Sequence, residues 1–131
     1  DRLYSSFKFL EKGGLNIHDE KAFTKYLSSY NDFNDFVING LNEDIINKIT
    51  HFVPQYKFIC NQDREILVDF LGKFESIDKD ISILSEILEK EITLPLININ
   101  HSKIDYTEIY TEEMRKIVRR VYRFDFELFN Y

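Results

Sequence analysis

The stretch Ile66-Leu-Val-Asp-Phe-Leu-Gly-Lys-Phe-Glu75 runs straight into Ser76-Ile-Asp-Lys-Asp-Ile-Ser-Ile-Leu-Ser-Glu-Ile-Leu88, and its reading decides the fold. The first part is a short apolar run rich in branched and aromatic residues, the composition of a buried strand. The second part changes period: Ile77, Ile81, Leu84 and Leu88 fall on one face of a helix. Ser76 stands where an N-cap hydroxyl accepts an amide hydrogen bond, and Asp78 and Asp80 complement the positive end of the helix dipole. Lys73 and Glu75 lie on one side of the strand, where an ion pair supporting a sheet is favoured over a role in orienting a ligand. A strand feeding a capped amphipathic helix is the building unit of an α/β sheet, whose strand ends are where ligands bind.

Upstream, Leu3, Phe7 and Leu10 predict a helix that begins at or before the first residue and stops at Gly13-Gly14. Asp19 is placed to cap a second helix with Phe23, Tyr26, Leu27 and Tyr30 inward. Asp32 is placed to cap a third, with Phe33, Phe36, Val37 and Leu41 inward and Gly40 weakening its end. A short turn of helix follows through Ile45, Ile46 and Ile49. Pro54 breaks that pattern and leaves Tyr56–Cys60 as an extended piece, with Asn61-Gln-Asp63 as the turn into the strand. Downstream, Pro95 within Ile92–Ile99 reads as an extended loop. Thr111, followed by Glu112 and Glu113, opens a last helix with Met114, Ile117, Val118, Val121 and Tyr122 on one face. The closing run, with Phe124, Phe126 and Phe129, either continues that helix or leaves it.

Hydrophobic residues make up 44% of the 131, enough for a core, and a net charge of −6 argues against general affinity for nucleic acid or anionic membrane. No apolar run approaches the ~18 residues of a membrane span. The single Cys60 excludes an internal disulfide. His18, His51, His101 and Cys60 are scattered without metal-ligand spacing, so no metal site is expected. With no visible targeting segment, a cytoplasmic location is the expectation. One strand leaves its edges unpaired, so this chain is expected to be part of a domain whose other half lies upstream.

Four blocks, in this order, resemble the C-terminal half of a sulfotransferase, nearest the carbohydrate sulfotransferases of the chondroitin and heparan type and their bacterial relatives. They are Asp1-Arg-Leu-Tyr-Ser-Ser-Phe7 with Gly13-Gly14; His51-Phe-Val-Pro-Gln-Tyr56; Val68-Asp-Phe-Leu-Gly-Lys-Phe-Glu75 with Asp80; and Leu94-Pro95, Asn100-x-Ser102, Tyr110-Thr111, Tyr122-Arg-Phe-Asp125 and Phe129-Asn-Tyr131. The resemblance implies an α/β fold with a P-loop NTPase-like core, of which this stretch is mainly α-helical with one or two strands of the sheet. It also implies that residues 1–131 are the C-terminal portion of one sulfotransferase domain. The activity implied is transfer of a sulfuryl group from 3′-phosphoadenosine 5′-phosphosulfate to a hydroxyl acceptor, a carbohydrate by the family's example, with no nucleic-acid partner. The family's phosphate loop has no counterpart here, since Gly13-Gly14 lacks the following Lys-Ser/Thr and the preceding strand; the chain alone is therefore expected to be inactive.

By the same resemblance, Ser5 is expected to be the serine that touches the 3′-phosphate, weighed against an ordinary exposed helix serine. Arg2 has the charge and fork geometry for a phosphate, but a first-turn arginine equally faces solvent. Arg120 and Arg123 belong to a basic run with Arg115, Lys116 and Arg119. One or two of these reach the nucleotide or an anionic sugar on one reading, and all form a solvated helix face on the duller one. His51 is the candidate base or sugar contact, weighed against an ordinary structural histidine. The closing aromatics read as core before they read as a stacking platform. The rival reading of the whole chain is a non-catalytic helical binding or scaffold domain.

Overall fold

The computed structural model describes residues 2–95 and 105–131. They fall into two compact units, the first made of 2–58 and 105–131 and the second beginning at Ile59. In the first unit, α1 (Arg2–Glu11) buries Leu3, Phe7 and Leu10, the three residues its spacing singled out. Gly13 and Gly14 end it with positive φ angles of 96° and 65°, where a side chain would be strained. Helix α2 (Ile17–Tyr26) follows, capped by Asn16, whose side chain accepts from the amides of His18 and Asp19. The expected cap, Asp19, lies instead inside the first turn with its carboxylate turned back, accepting from Leu15 N and Asn16 Nδ2 at 3.0 Å each. Asn16, three residues earlier and in extended conformation, takes the role instead.

Asp32 caps α3 (Phe33–Asp35) as expected, accepting from Asp35 N at 2.8 Å. The chain widens at once into a π turn, Phe36–Gly40, and Phe33, Phe36, Val37 and Leu41 are all buried. Helix α4 (Glu43–Lys48) adds Ile45 and Ile46, and a 3₁₀ turn, Thr50–Phe52, adds Phe52. The core is an aromatic column: Phe36 stacks on Phe7 at 5.4 Å and on Phe52 at 5.5 Å, and Phe33 meets Tyr4, Phe7 and Tyr110 edge-on. Each such pair contributes about 0.5–1.5 kcal/mol beyond the area it buries.

The C-terminal part of this unit consists of α7 (Tyr106–Ile109), α8 (Glu112–Val121) and α9 (Arg123–Phe129). Thr111 caps α8 by accepting from Met114 N, and Met114 and Val121 are buried, as the apolar spacing required. Helix α8 packs on the π turn, and α1 on α2 and on the 3₁₀ turn. The closing aromatics continue as helix until Asn130 stops it in the left-handed conformation, and Phe129 joins the interior.

The second unit corrects the expected fold class. Residues 66–75 are not a strand. Among the described residues there is no sheet, and one antiparallel bridge, Cys60 to Ile66, closes the Asn61–Glu65 turn. The apolar residues beyond it are open to solvent, with Leu67 68% and Phe74 81% exposed. A branched apolar run becomes a strand only when neighbouring backbone pairs with it, and here that pairing stops at the Cys60–Ile66 bridge. The one-or-two-strand, P-loop-like α/β architecture is therefore not what the described residues build; they are a helical assembly.

The helical half of the deciding stretch is present as α6 (Ile77–Ile87), after a 3₁₀ turn at Phe74–Ser76. Ser76 occupies the N-cap position but makes no cap bond. Its hydroxyl donates to Asp80 Oδ2 at 2.8 Å, and Lys73 N donates to the same oxygen at 2.7 Å. These bonds hold the Asp80 carboxyl below its usual range, the Lys73 amide first and the Ser76 hydroxyl second. No ion pair joins Lys73 and Glu75 among the described residues, and both side chains are exposed. The loop expected at Ile92–Ile99 is irregular through Pro95, while its remainder and Asn100-x-Ser102 lie outside the described residues.

Candidate functional site

The turn from His51 to Tyr56 is short of local hydrogen bonds for a chemical reason. Pro54 has no N–H to give, and a 3₁₀ turn that ends there leaves its carbonyls without helical partners. Side chains distant in sequence supply what the backbone lacks. Ser6 Oγ donates to the His51 carbonyl at 3.3 Å, Tyr122 Oη to the Phe52 carbonyl at 2.8 Å and Arg2 Nη2 to the Val53 carbonyl at 2.8 Å. Past the proline, the buried Asp125 carboxylate accepts the amides of Gln55 at 2.8 Å and Tyr56 at 2.9 Å.

This last clamp overturns the extended reading of Tyr56–Cys60. Tyr56–Ile59 is a turn of helix, α5, with its leading amides satisfied from across the domain by Asp125. No local residue signals that cap, which is why periodicity and the proline pointed elsewhere. Burial raises the Tyr122 phenol well above its ordinary pKa and Tyr110 to about 12, so both remain neutral hydrogen-bonding groups.

His51 begins the turn and leans edge-on against Phe9 at 5.0 Å. Its Nε2 lies 3.0 Å from Asp19 Oδ1, and Asp19 is 8% exposed. The Leu15 amide and then the His51 ring hold the Asp19 carboxyl below its usual range. An ionised aspartate beside Nε2 favours the tautomer with its proton there, leaving Nδ1 as the acceptor. Asp19 is a site residue that sequence reasoning missed, since at the start of a helix it read as a cap. The pair borders a cavity of about 270 Å³ between α2 and the Ile49–His51 segment.

The other predicted residues are dispersed. Ser5 is exposed on α1, with Oγ 3.2 Å from Tyr106 Oη. Arg2 is half-buried and committed through Nη2 to Val53, not turned to solvent. Arg120 and Arg123 are exposed; the Arg123 guanidinium lies 4.5 Å above the Phe124 ring. Arg119 lies over Phe126, and Arg115 donates to the carbonyls of Tyr110 and Thr107. Among the described residues no hydrogen bond or ion pair joins Arg120 or Arg123 to Arg2, Ser5 or His51. One helix therefore brings Arg2 and Ser6 to the anchored turn and sets Ser5 beside Tyr106, and the basic run stands apart from the turn in interactions.

The arrangement defines a helical domain organised round a proline turn held by charged and hydroxyl side chains. A model of the sulfotransferase family matches residues 1–131, and the chain belongs to that family. Its members are transferases, and the chemistry is sulfuryl transfer. No curated protein and no solved structure matches the chain significantly.

Proposed function

We propose that the chain serves a sulfotransferase in which 3′-phosphoadenosine 5′-phosphosulfate is the donor and a carbohydrate hydroxyl the acceptor. The observation that carries this reading is Ser5. It stands on the helix whose sequence resembles the family's 3′-phosphate segment, exposed, with its hydroxyl meeting another hydroxyl and no charge. Arg2 supports the same region by fixing the Val53 carbonyl, which makes it a positioning residue first. Arg120 and Arg123 are assigned to the nucleotide by resemblance alone. No stretch of the 131 residues has the pattern of a phosphate loop, so the 5′-phosphosulfate is not assigned to residues of this chain.

In the transfer, the acceptor oxygen bonds to sulfur while the bond from sulfur to the phosphate oxygen breaks, releasing the adenosine bisphosphate. The acceptor proton must go to a base. His51 is our candidate, with Nδ1 as the receiving atom and Asp19 holding the ring and its charge, the logic of any carboxylate–imidazole pair. The helical reading without catalysis draws on the missing sheet, but membership of a transferase family weighs against it.

The test is binding of 3′-phosphoadenosine 5′-phosphate to the full-length protein, by calorimetry and by the rise in melting temperature that any native-state ligand gives. Ser5→Ala should weaken binding by roughly 1–3 kcal/mol, the range for a hydrogen bond to a charged group. Unchanged affinity would remove Ser5 from the site. Absence of any binding would remove the donor assignment itself.

A further inference from the structure

Ser5 and Ser6 are neighbours on α1 and lie about 100° apart round the helix axis. Ser5 is exposed and meets the Tyr106 hydroxyl, whereas Ser6 is half-buried and donates to the His51 carbonyl at 3.3 Å. A serine hydroxyl inside a helix ordinarily bonds to the carbonyl four residues back. Ser28, just past α2, does so to Thr24 at 2.6 Å, and Ser82 in α6 does so to Asp78 at 3.0 Å. Ser6 instead directs its hydroxyl to a residue 45 positions on.

That bond is one of three holds on His51. Phe9, one turn further along α1, meets the imidazole edge-on with ring centres 5.0 Å apart, and Asp19 Oδ1 lies 3.0 Å from Nε2. Asp19 is itself fixed by Leu15 N and Asn16 Nδ2, at 3.0 Å each. The carboxylate end of the Nε2 bond is therefore anchored locally, while the imidazole end hangs from a 3₁₀ turn, Thr50–Phe52. Such turns have poorer hydrogen-bond geometry than an α-helix and give their residues less support. A hydrogen bond weakens steeply as its geometry departs from the ideal, so slack in this turn becomes slack at Nε2. Among the described residues no hydrogen bond engages Nδ1.

We propose that Ser6 is a positioning residue for sulfuryl transfer, tying the His51 main chain to α1 so that Nε2 stays on Asp19 and Nδ1 is left to receive the acceptor proton. The adjacent serines divide the work, Ser5 meeting the donor and Ser6 holding the base. The role in transfer rests on His51 as the base, stated above; the anchoring does not.

The test uses the full-length protein, nitrogen-15 labelled. The His51 Nε2–H proton should give a resolved signal that exchanges slowly with water. Ser6→Ala should speed that exchange at least tenfold, and Ser6→Thr, which keeps the hydroxyl, should restore it. Ser5→Ala should leave the signal unchanged while lowering affinity for 3′-phosphoadenosine 5′-phosphate, and Ser6→Ala should do the reverse. With 3′-phosphoadenosine 5′-phosphosulfate as donor and chondroitin as acceptor, Ser6→Ala should lower kcat at least tenfold at an unchanged KM for the donor. Exchange as slow in Ser6→Ala as in the parent, or as fast in Ser6→Thr as in Ser6→Ala, would overturn the anchoring. A lower melting temperature with the Nε2–H signal intact would overturn it too, leaving Ser6 a merely structural residue. Faster exchange with kcat unchanged would keep the anchor and remove His51 as the base.

Discussion

Asp125 Oδ1 lies 2.9 Å from the backbone nitrogen of Tyr56, a contact between residues 69 apart in the chain. With the bond to Gln55 N, it makes one buried carboxylate the cap of a helical turn to which it is not locally connected. The whole His51–Tyr56 turn depends on side chains of this kind.

Asp125→Asn should therefore be destabilising out of proportion to its small change in shape. An amide can accept one of the two backbone N–H groups but must present its own NH₂ to the other. The expected loss is roughly 1.5–3 kcal/mol, the range for charge-assisted bonds. Urea unfolding should show a lower midpoint with an unchanged slope.

Tyr122→Phe tests the next anchor. It leaves the Phe52 carbonyl buried without its donor and should cost about 1–2 kcal/mol in the same assay. In alkaline difference spectra of the native protein, Tyr110 and Tyr122 should remain protonated when the more exposed of the eight tyrosines have ionised. Full titration of all eight near pH 10 with the fold intact would contradict their burial.

The two glycines after α1 should respond differently. Gly13 has nothing within 4 Å of an added methyl, so Gly13→Ala carries only the strain of a positive φ, about 1–2 kcal/mol. At Gly14 the methyl would also press into Asp19, with Cγ at 2.7 Å. Gly14→Ala should thus be the worse of the two, roughly 1–3 kcal/mol beyond its neighbour. It should also disturb the His51 ring resonances through Asp19. Equal melting temperatures for the two variants would refute this difference.

Acid stability should report Asp19 directly. Its native carboxyl titrates below the ordinary aspartate value, so between the native and unfolded values the unfolded chain binds more protons than the native state and stability rises with pH. The contribution is complete above the unfolded value and is lost as pH falls through the native one. Asp19→Asn should flatten the dependence of the urea midpoint on pH between about 2 and 5. Some slope should remain from Asp35, Asp80 and Asp105, each lowered by its own hydrogen bonds. An identical acid limb in the variant would show that the Asp19 contacts do not form in solution.

The periodic elements were legible in the amino-acid sequence. Leu3, Phe7 and Leu10 fixed the inner face of α1, Asp32 and Thr111 were read as caps and act as caps, and Ile77 to Leu88 gave α6. The site was legible only in part. Ser5, Arg2 and His51 could be singled out, but Asp19 and Asp125 could not be paired with their targets.

What the amino-acid sequence determined alone is whatever local spacing encodes: helix faces, helix stops at Gly13-Gly14, and membership of a family through blocks in register. Tertiary structure decided the rest, because the deciding interactions join residues with no local relation. A run such as Ile66–Glu75 acquires strand character only from a neighbour, and the described residues offer it none beyond Cys60. A carboxylate such as Asp125 becomes a helix cap only once folding brings it to Tyr56, where its charge meets amides that the proline turn left unsatisfied.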